Sequence, residues 1–121
     1  MPRLIGDIAR AHGLTAETIY AAEYPVTVND AAEAAFAAEV IAGVFGPDRG
    51  ERAEFPLMGA EDFSYVLEQV PGAFVMLGAC PPPVDPGTAP LNHSAFAVFD
   101  DTVLADGAAL FTELAVRRLN R

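Results

Sequence analysis

Two short stretches of this 121-residue sequence hold the residue types that could do chemistry. The first is APLNHSAFAVFDD, residues 89–101, where His93 precedes a small hydroxyl residue, two phenylalanines and two aspartates. Imidazole is the commonest metal ligand among side chains. His93 has no HxD, HxxH or CxxC partner nearby, so the residues alone leave three readings open. It is a solvated loop residue, a hydrogen-bonding structural residue, or a metal ligand. The second stretch is MGAEDF, residues 58–63. Gly59 and Ala60 lead into a helix start, where free backbone N–H groups favour anions. Glu61 and Asp62 oppose that use unless their carboxylates turn away. As neighbours on a helix they point in different directions and make no acid/base pair. Ordinary helix-start chemistry is the alternative reading. Cys80 lies between Ala79 and Pro81 with no His or Asn near it in sequence, which makes it a poor nucleophile. No catalytic residue is assigned.

Elements must position these residues. Residues 3–12 are expected to be helical, with Leu4, Ile5, Ile8 and Ala11 on one face and Gly13 as the stop. His12 then lies near the negative end of the helix dipole, as a solvated helix-end residue. TAETIYAAEY, 15–24, is read as a strand on the strength of Thr18, Ile19, Tyr20 and Tyr24. A lone strand after a helix needs a partner outside this sequence. YPVTVND, 24–30, is extended, because Pro25 biases Tyr24 away from helix. Asp30 with Glu33 forms an expected capping box. The helix it starts runs to Phe45, with Ala34, Ala38, Ile41 and Phe45 as the apolar stripe, and Gly46-Pro47 ends it.

Residues 53–57 are expected to be a short strand. MGAEDFSYVLEQVPG, 58–72, holds a helix with Glu61 and Asp62 in its first turn, Phe63, Val66, Leu67 and Val70 inward, and Pro71-Gly72 as the stop. AFVMLG, 73–78, is nearly all apolar, as a strand covered on both faces would be. A loop with five prolines follows, 79–92. Asp100 or Asp101 caps a last helix, 102–119, with Val103, Leu110, Phe111 and Leu114 inward. This alternation implies an α/β fold with helices packed on a sheet. Ligands usually bind on loops that leave the strands of such a sheet. His93 and the Gly59 turn are therefore expected at one sheet edge.

Composition sets limits. At 52% hydrophobic with eight Phe, the chain has material for a core, and a compact fold of this size would bury roughly two-thirds of its unfolded surface. Seven Arg, no Lys and seventeen acids give a net charge of −10. That balance argues against nucleic acid, which needs clustered cations, and against anionic membranes. The acids are scattered and read as solvated faces. One cysteine permits no disulfide framework, and a reducing cytoplasm is the default. No apolar run reaches the roughly 20 residues a membrane span needs. Met1-Pro2-Arg3 is not followed by a signal-peptide core.

The ordered run YPVTVND … FPLMGAEDFSYVLEQVPGAFVMLG … PLNHSAFAVFDDTVLADGAALFTELAVRRL resembles the C-terminal part of the M20 peptidase family, in its amidohydrolase subfamily of hippurate hydrolases, N-acyl-amino-acid amidohydrolases and auxin-conjugate hydrolases. The resemblance covers nearly the whole chain. It implies an α/β catalytic domain that binds two divalent metal ions, such as zinc or manganese, and a smaller inserted domain that mediates homodimerisation. Residues 1–27 then look like the tail of that inserted dimerisation (lid) domain, and 28–121 like the C-terminal part of the catalytic domain. Asn29 matches the return from the inserted domain.

By the same resemblance His93 is a metal ligand, and Gly59, Ala60 and Glu61 line the substrate side. The implied reaction is hydrolysis of the amide of an N-acyl amino acid or small peptide, with a metal-bound water as nucleophile and a glutamate as base. The other ligands and that glutamate lie upstream in the family and have no counterpart here. The sequence reads as the final third of an enzyme that needs its missing N-terminal part. The competing expectation is a non-catalytic remnant or assembly module whose exposed sheet edge and apolar faces bind a partner chain.

Overall fold

Asp30 sets the start of the central helix: its carboxylate accepts from the backbone N–H groups of Ala32 at 2.9 Å and Glu33 at 3.0 Å. Two donors that a helix start leaves unpaired are thereby satisfied. This computed structural model describes residues 1–120. Its α-helices are α1 (Pro2–Ala11), α2 (Ala31–Phe45), α3 (Phe63–Gln69) and α4 (Leu104–Leu119), with 3-10 turns at Pro47–Arg49 and Asp101–Val103. Only half of the expected capping box forms at α2. Glu33 pairs with Arg118 on α4 instead of turning back, and the Asp30 N–H donates to the Gly72 carbonyl at 2.9 Å. Positive φ at Gly13 (69°) and Gly46 (96°) ends α1 and α2, a conformation glycine adopts without a Cβ clash.

Helices α2 and α4 pack on each other. The buried apolar residues are Phe36, Ala37 and Val40, all on α2. The stripe expected from spacing is shifted by this: Ala34, Ile41 and Phe45 are half-buried, and Ala38 is exposed. On α4, Leu110 and Leu114 are half-buried, but Phe111 is exposed. The Arg118 guanidinium lies 4.3 Å from the Phe36 ring centroid, a cation–π contact that covers the ring while the charge meets Glu33. Arg49 bonds Asp106 at 3.0 Å and ties the turn after α2 to the first turn of α4. These ion pairs are partly solvated and add little stability individually.

No β-strand forms among the described residues. The expected strands at 15–24, 53–57 and 73–78 lack a laddered partner, and an extended segment becomes a strand only when a neighbouring backbone takes its N–H and C=O groups. Residues 73–78 still occupy a defined place. Phe74 meets the Phe63 ring at 5.6 Å between centroids, and 73–78 closes one side of an open apolar groove of about 810 Å³ with α2 and α4. Helix α1 packs on no other helix. Its Leu4, Ile5 and Ile8 are exposed, as are Ile19, Phe55, Met58 and Phe96 elsewhere. No helix of the described residues is long and apolar enough to cross a membrane.

Candidate functional site

His93 lies in a tight turn between residues 79 and 100. The Ser94 N–H donates to the Leu91 carbonyl at 2.8 Å, the Ala97 N–H donates to the Ser94 carbonyl at 3.1 Å, and the Phe96 N–H donates to Ser94 Oγ at 3.1 Å. Small turns of this kind suit Asn-His-Ser, since short polar side chains bond their own backbone. The turn leaves the His93 ring exposed. The whole loop is closed at its base, where the Asp100 N–H donates to the Ala79 carbonyl at 2.9 Å.

Asp100 also starts the last helical segment. Its carboxylate accepts from the Thr102 hydroxyl at 2.6 Å and the Thr102 N–H at 3.0 Å. Those two bonds, the hydroxyl first, favour the ionised form and lower its pKa. The loop carrying His93 is thus pinned to the start of α4 through backbone and side chain of one residue.

The Gly59 turn is less structured than its residues suggest. Helix α3 begins at Phe63, with Asp62 at its N-cap making no side-chain cap bond, so Glu61 and Asp62 precede the first turn rather than fall in it. Seven residues give a short helix with a weak dipole, which removes the anion-site argument. Gly59 and Ala60 are exposed, and a Cβ on Gly59 would meet nothing within 4 Å. Glu61 is half-buried, and its carbonyl accepts from Ser64 Oγ at 2.6 Å and Ser64 N at 3.2 Å. Ser64 is fully buried.

No described hydrogen bond or ion pair joins residues 59–61 to His93. Of the two stretches only Phe63 lines the groove between α2 and α4; His93 and residues 59–61 lie outside it. Among the described residues no cluster of three or more His, Cys, Asp or Glu side chains is placed to hold a metal ion. A catalytic zinc normally takes three protein ligands. At this turn the described residues offer the solvent-facing imidazole of His93 outside any three-ligand cluster. Cys80 is half-buried, with its Sγ donating to the Val84 carbonyl at 3.5 Å.

Two connections escaped the sequence reading. Asn29 Oδ1 accepts from the Phe74 N–H at 2.8 Å and its Nδ2 donates to the Phe74 carbonyl at 3.4 Å. Tyr65 Oη donates to the Glu23 carbonyl at 2.5 Å, and its ring meets Tyr24 edge-on at 6.2 Å. An Asn just before a helix cap is a hint of side-chain to backbone bonding, but nothing local to residue 29 names Phe74 as its partner.

Relatives place these segments in context. The profile of a family described as Peptidase family M20/M25/M40 matches residues 10–117. Thermostable carboxypeptidase 2 of Saccharolobus solfataricus is 30% identical over 122 residues, which take in 100% of this chain and 30% of that protein. An IAA-amino acid hydrolase of Arabidopsis thaliana is 33% identical over 96 residues, covering 79% of this chain and 21% of that protein. The hippurate hydrolase of Campylobacter jejuni is 33% identical over 95 residues, covering 78% of this chain and 23% of its own. The chain thus spans less than a third of the length of these relatives. No solved structure matches it. The profile match takes in both candidate stretches and all of α2 and α3, and the chain belongs to peptidase family M20/M25/M40.

Proposed function

We propose that this chain is the C-terminal segment of a metal-dependent amidohydrolase that cleaves the amide bond of N-acyl amino acids, and that it is inactive alone. The observation that carries this is the family match over residues 10–117, together with relatives whose names are those of hydrolases. The relatives' length beyond the matched region leaves room for the donors and the general base that this chain lacks.

In this reading His93 supplies one neutral imidazole to a centre of two divalent ions, and the pinned loop from Ala79 to Asp100 presents its ring to solvent. Gly59, Ala60 and Glu61 line the amino-acid side of the substrate. Open space over Gly59 favours that use, since a bare backbone admits a ligand closely. Residues 1–27 belong to an inserted dimerisation domain and 28–121 to a catalytic domain, in a cytoplasmic homodimer. The extended, unladdered segments 15–24 and 73–78 fit a fold whose sheet is completed by chain outside these residues. So does the number of exposed large apolar side chains on α1 and α4.

A second reading, a non-catalytic assembly module, draws on the same exposed faces and on the lack of a ligand cluster. A chimera separates the two. This chain would replace the matched region of the Campylobacter hippurate hydrolase, and hippurate hydrolysis and bound metal per chain would be measured. Turnover that His93→Ala abolishes, with loss of bound metal, supports the hydrolase reading. Unchanged turnover in His93→Ala refutes the metal assignment. A folded chimera without turnover leaves the assembly module.

A further inference from the structure

We propose that Ser64 is a positioning residue for the substrate-side turn: its buried hydroxyl holds the Glu61 carbonyl and so fixes the direction in which residues 59–61 leave α3. The substrate role of that turn rests on the hydrolase reading above. Ser64 is the only buried polar residue among the described residues, and it is fully buried. A hydroxyl taken out of water is unfavourable unless it is bonded, so its partner is not incidental. Ser64 Oγ donates to the Glu61 carbonyl at 2.6 Å, at the short end of the range for such bonds. The Ser64 N–H donates to the same oxygen at 3.2 Å, at the long end.

A serine inside a helix ordinarily bonds back to a carbonyl of its own helix, which says nothing about a site. Here the acceptor lies outside the helix. Helix α3 begins at Phe63, Asp62 is its N-cap, and Glu61 precedes both. Asp62 already has helical angles, φ −69° and ψ −20°, and makes no side-chain cap bond. The joint between turn and helix is therefore held from the helix side, by Ser64 reaching back across the N-cap. Its base is firm, because the adjacent Phe63 packs on the Phe74 ring at 5.6 Å between centroids. Two donors on one oxygen orient the Glu61–Asp62 peptide plane, and with it the ψ angle of Glu61. Gly59 and Ala60, both exposed and with open space over Gly59, extend the chain from that plane. Loss of the hydroxyl leaves the carbonyl only the longer N–H bond and shifts the conformational equilibrium of the turn by about fivefold.

The test has two arms, both on Ser64→Ala, which removes only the hydroxyl. In the full chain, the nuclear magnetic resonance backbone shifts of Gly59, Ala60 and Glu61 should move toward random-coil values, while those of residues 66–69 stay at the parent's. Unmoved shifts at 59–61 would overturn the proposal. So would collapse of the shifts at 66–69, which would mean that the hydroxyl holds the helix rather than the turn. In the chimera with the Campylobacter hippurate hydrolase, KM for hippurate should rise about fivefold with kcat unchanged, since a misdirected binding turn weakens ground state and transition state alike. An unchanged KM, or a fall in kcat at unchanged KM, would overturn the positioning role. A folded chimera without turnover while Ser64 is intact sinks the hydrolase reading instead, and the shifts alone then decide whether the hydroxyl holds the turn.

Discussion

The Asn29 side chain pairs with the backbone of Phe74 as a neighbouring strand would: Oδ1 takes the N–H at 2.8 Å and Nδ2 gives to the carbonyl at 3.4 Å. One side chain thus fixes the start of α2 against residues 73–78, which wall the groove under α4. The long bond to the carbonyl is the weaker of the two.

Removing this amide should therefore cost stability without touching a candidate site residue. Asn29→Ala deletes two bonds at a partly solvated position, worth about 1–2 kcal/mol together. Asn29→Asp keeps an acceptor for the Phe74 N–H but sets a negative charge against its carbonyl, so it should lie below wild type as well. Urea unfolding followed by far-UV circular dichroism measures both. Wild-type stability in Asn29→Ala would show that the pair is incidental.

The helices were readable because each carries its own signals. Asp30 and Gly46 bracket α2, Pro71 follows α3, and Asp100 precedes α4. The strands were not, because Thr18, Ile19 and the 73–78 run declare a preference for extended backbone while pairing depends on a distant partner. The same limit applied to side chains. Glu33 was read as a local capping partner, yet Arg118, far along the sequence and carried on α4, claims it. The candidate site was readable only as separate stretches. His93 and the Gly59 turn were expected at one edge, and no described contact unites them. Their loops are closed by local bonds, which sequence suggests, but the distance between loops is set by the whole fold.

The small core makes one substitution diagnostic. Val40 is fully buried, and among the described apolar residues only Phe36 and Ala37, at 7% and 6% exposure, are buried with it. Val40→Ala removes two methyl groups from the buried face of α2 and should cost about 1.5–3 kcal/mol, from transfer plus residual cavity. Leu104→Ala, at an exposed position of α4, should stay within about 0.5 kcal/mol of wild type. Equal effects of the two in thermal or urea unfolding would place the core elsewhere.

Asp100 gives the chain a predicted acid sensitivity. Its pKa is lowered by the Thr102 hydroxyl and then by the Thr102 N–H. A folded pKa below the unfolded one means stability that is present above the unfolded carboxylate value and lost as pH falls through the folded value. Stability should thus decline on the acid side as Asp100 protonates, together with whatever other carboxylates contribute. Asp100→Asn keeps the shape but cannot ionise, so its profile should be flatter there. The Asp100 N–H to Ala79 bond is backbone and survives the change. Parallel acid limbs for wild type and Asp100→Asn, followed by circular dichroism from neutral to acidic pH, would contradict the assignment.

Metal affinity provides the last check, because it separates a lone donor from a site. His93 is exposed, and no cluster of three ligating side chains exists among the described residues. A structural zinc site gathers about 10–16 kcal/mol from a full set of protein donors, and one imidazole in water supplies a small part of that. Calorimetric titration of the isolated chain with zinc should accordingly show no saturable binding in the micromolar range. His93→Ala should remove part of the weak heat that remains, the exposed His12 keeping its share, while its unfolding midpoint stays that of wild type, since no described bond holds the ring. Tight, stoichiometric binding by the isolated chain would mean that a second donor approaches His93 in solution, and the dependence on ligands from outside this sequence would fall.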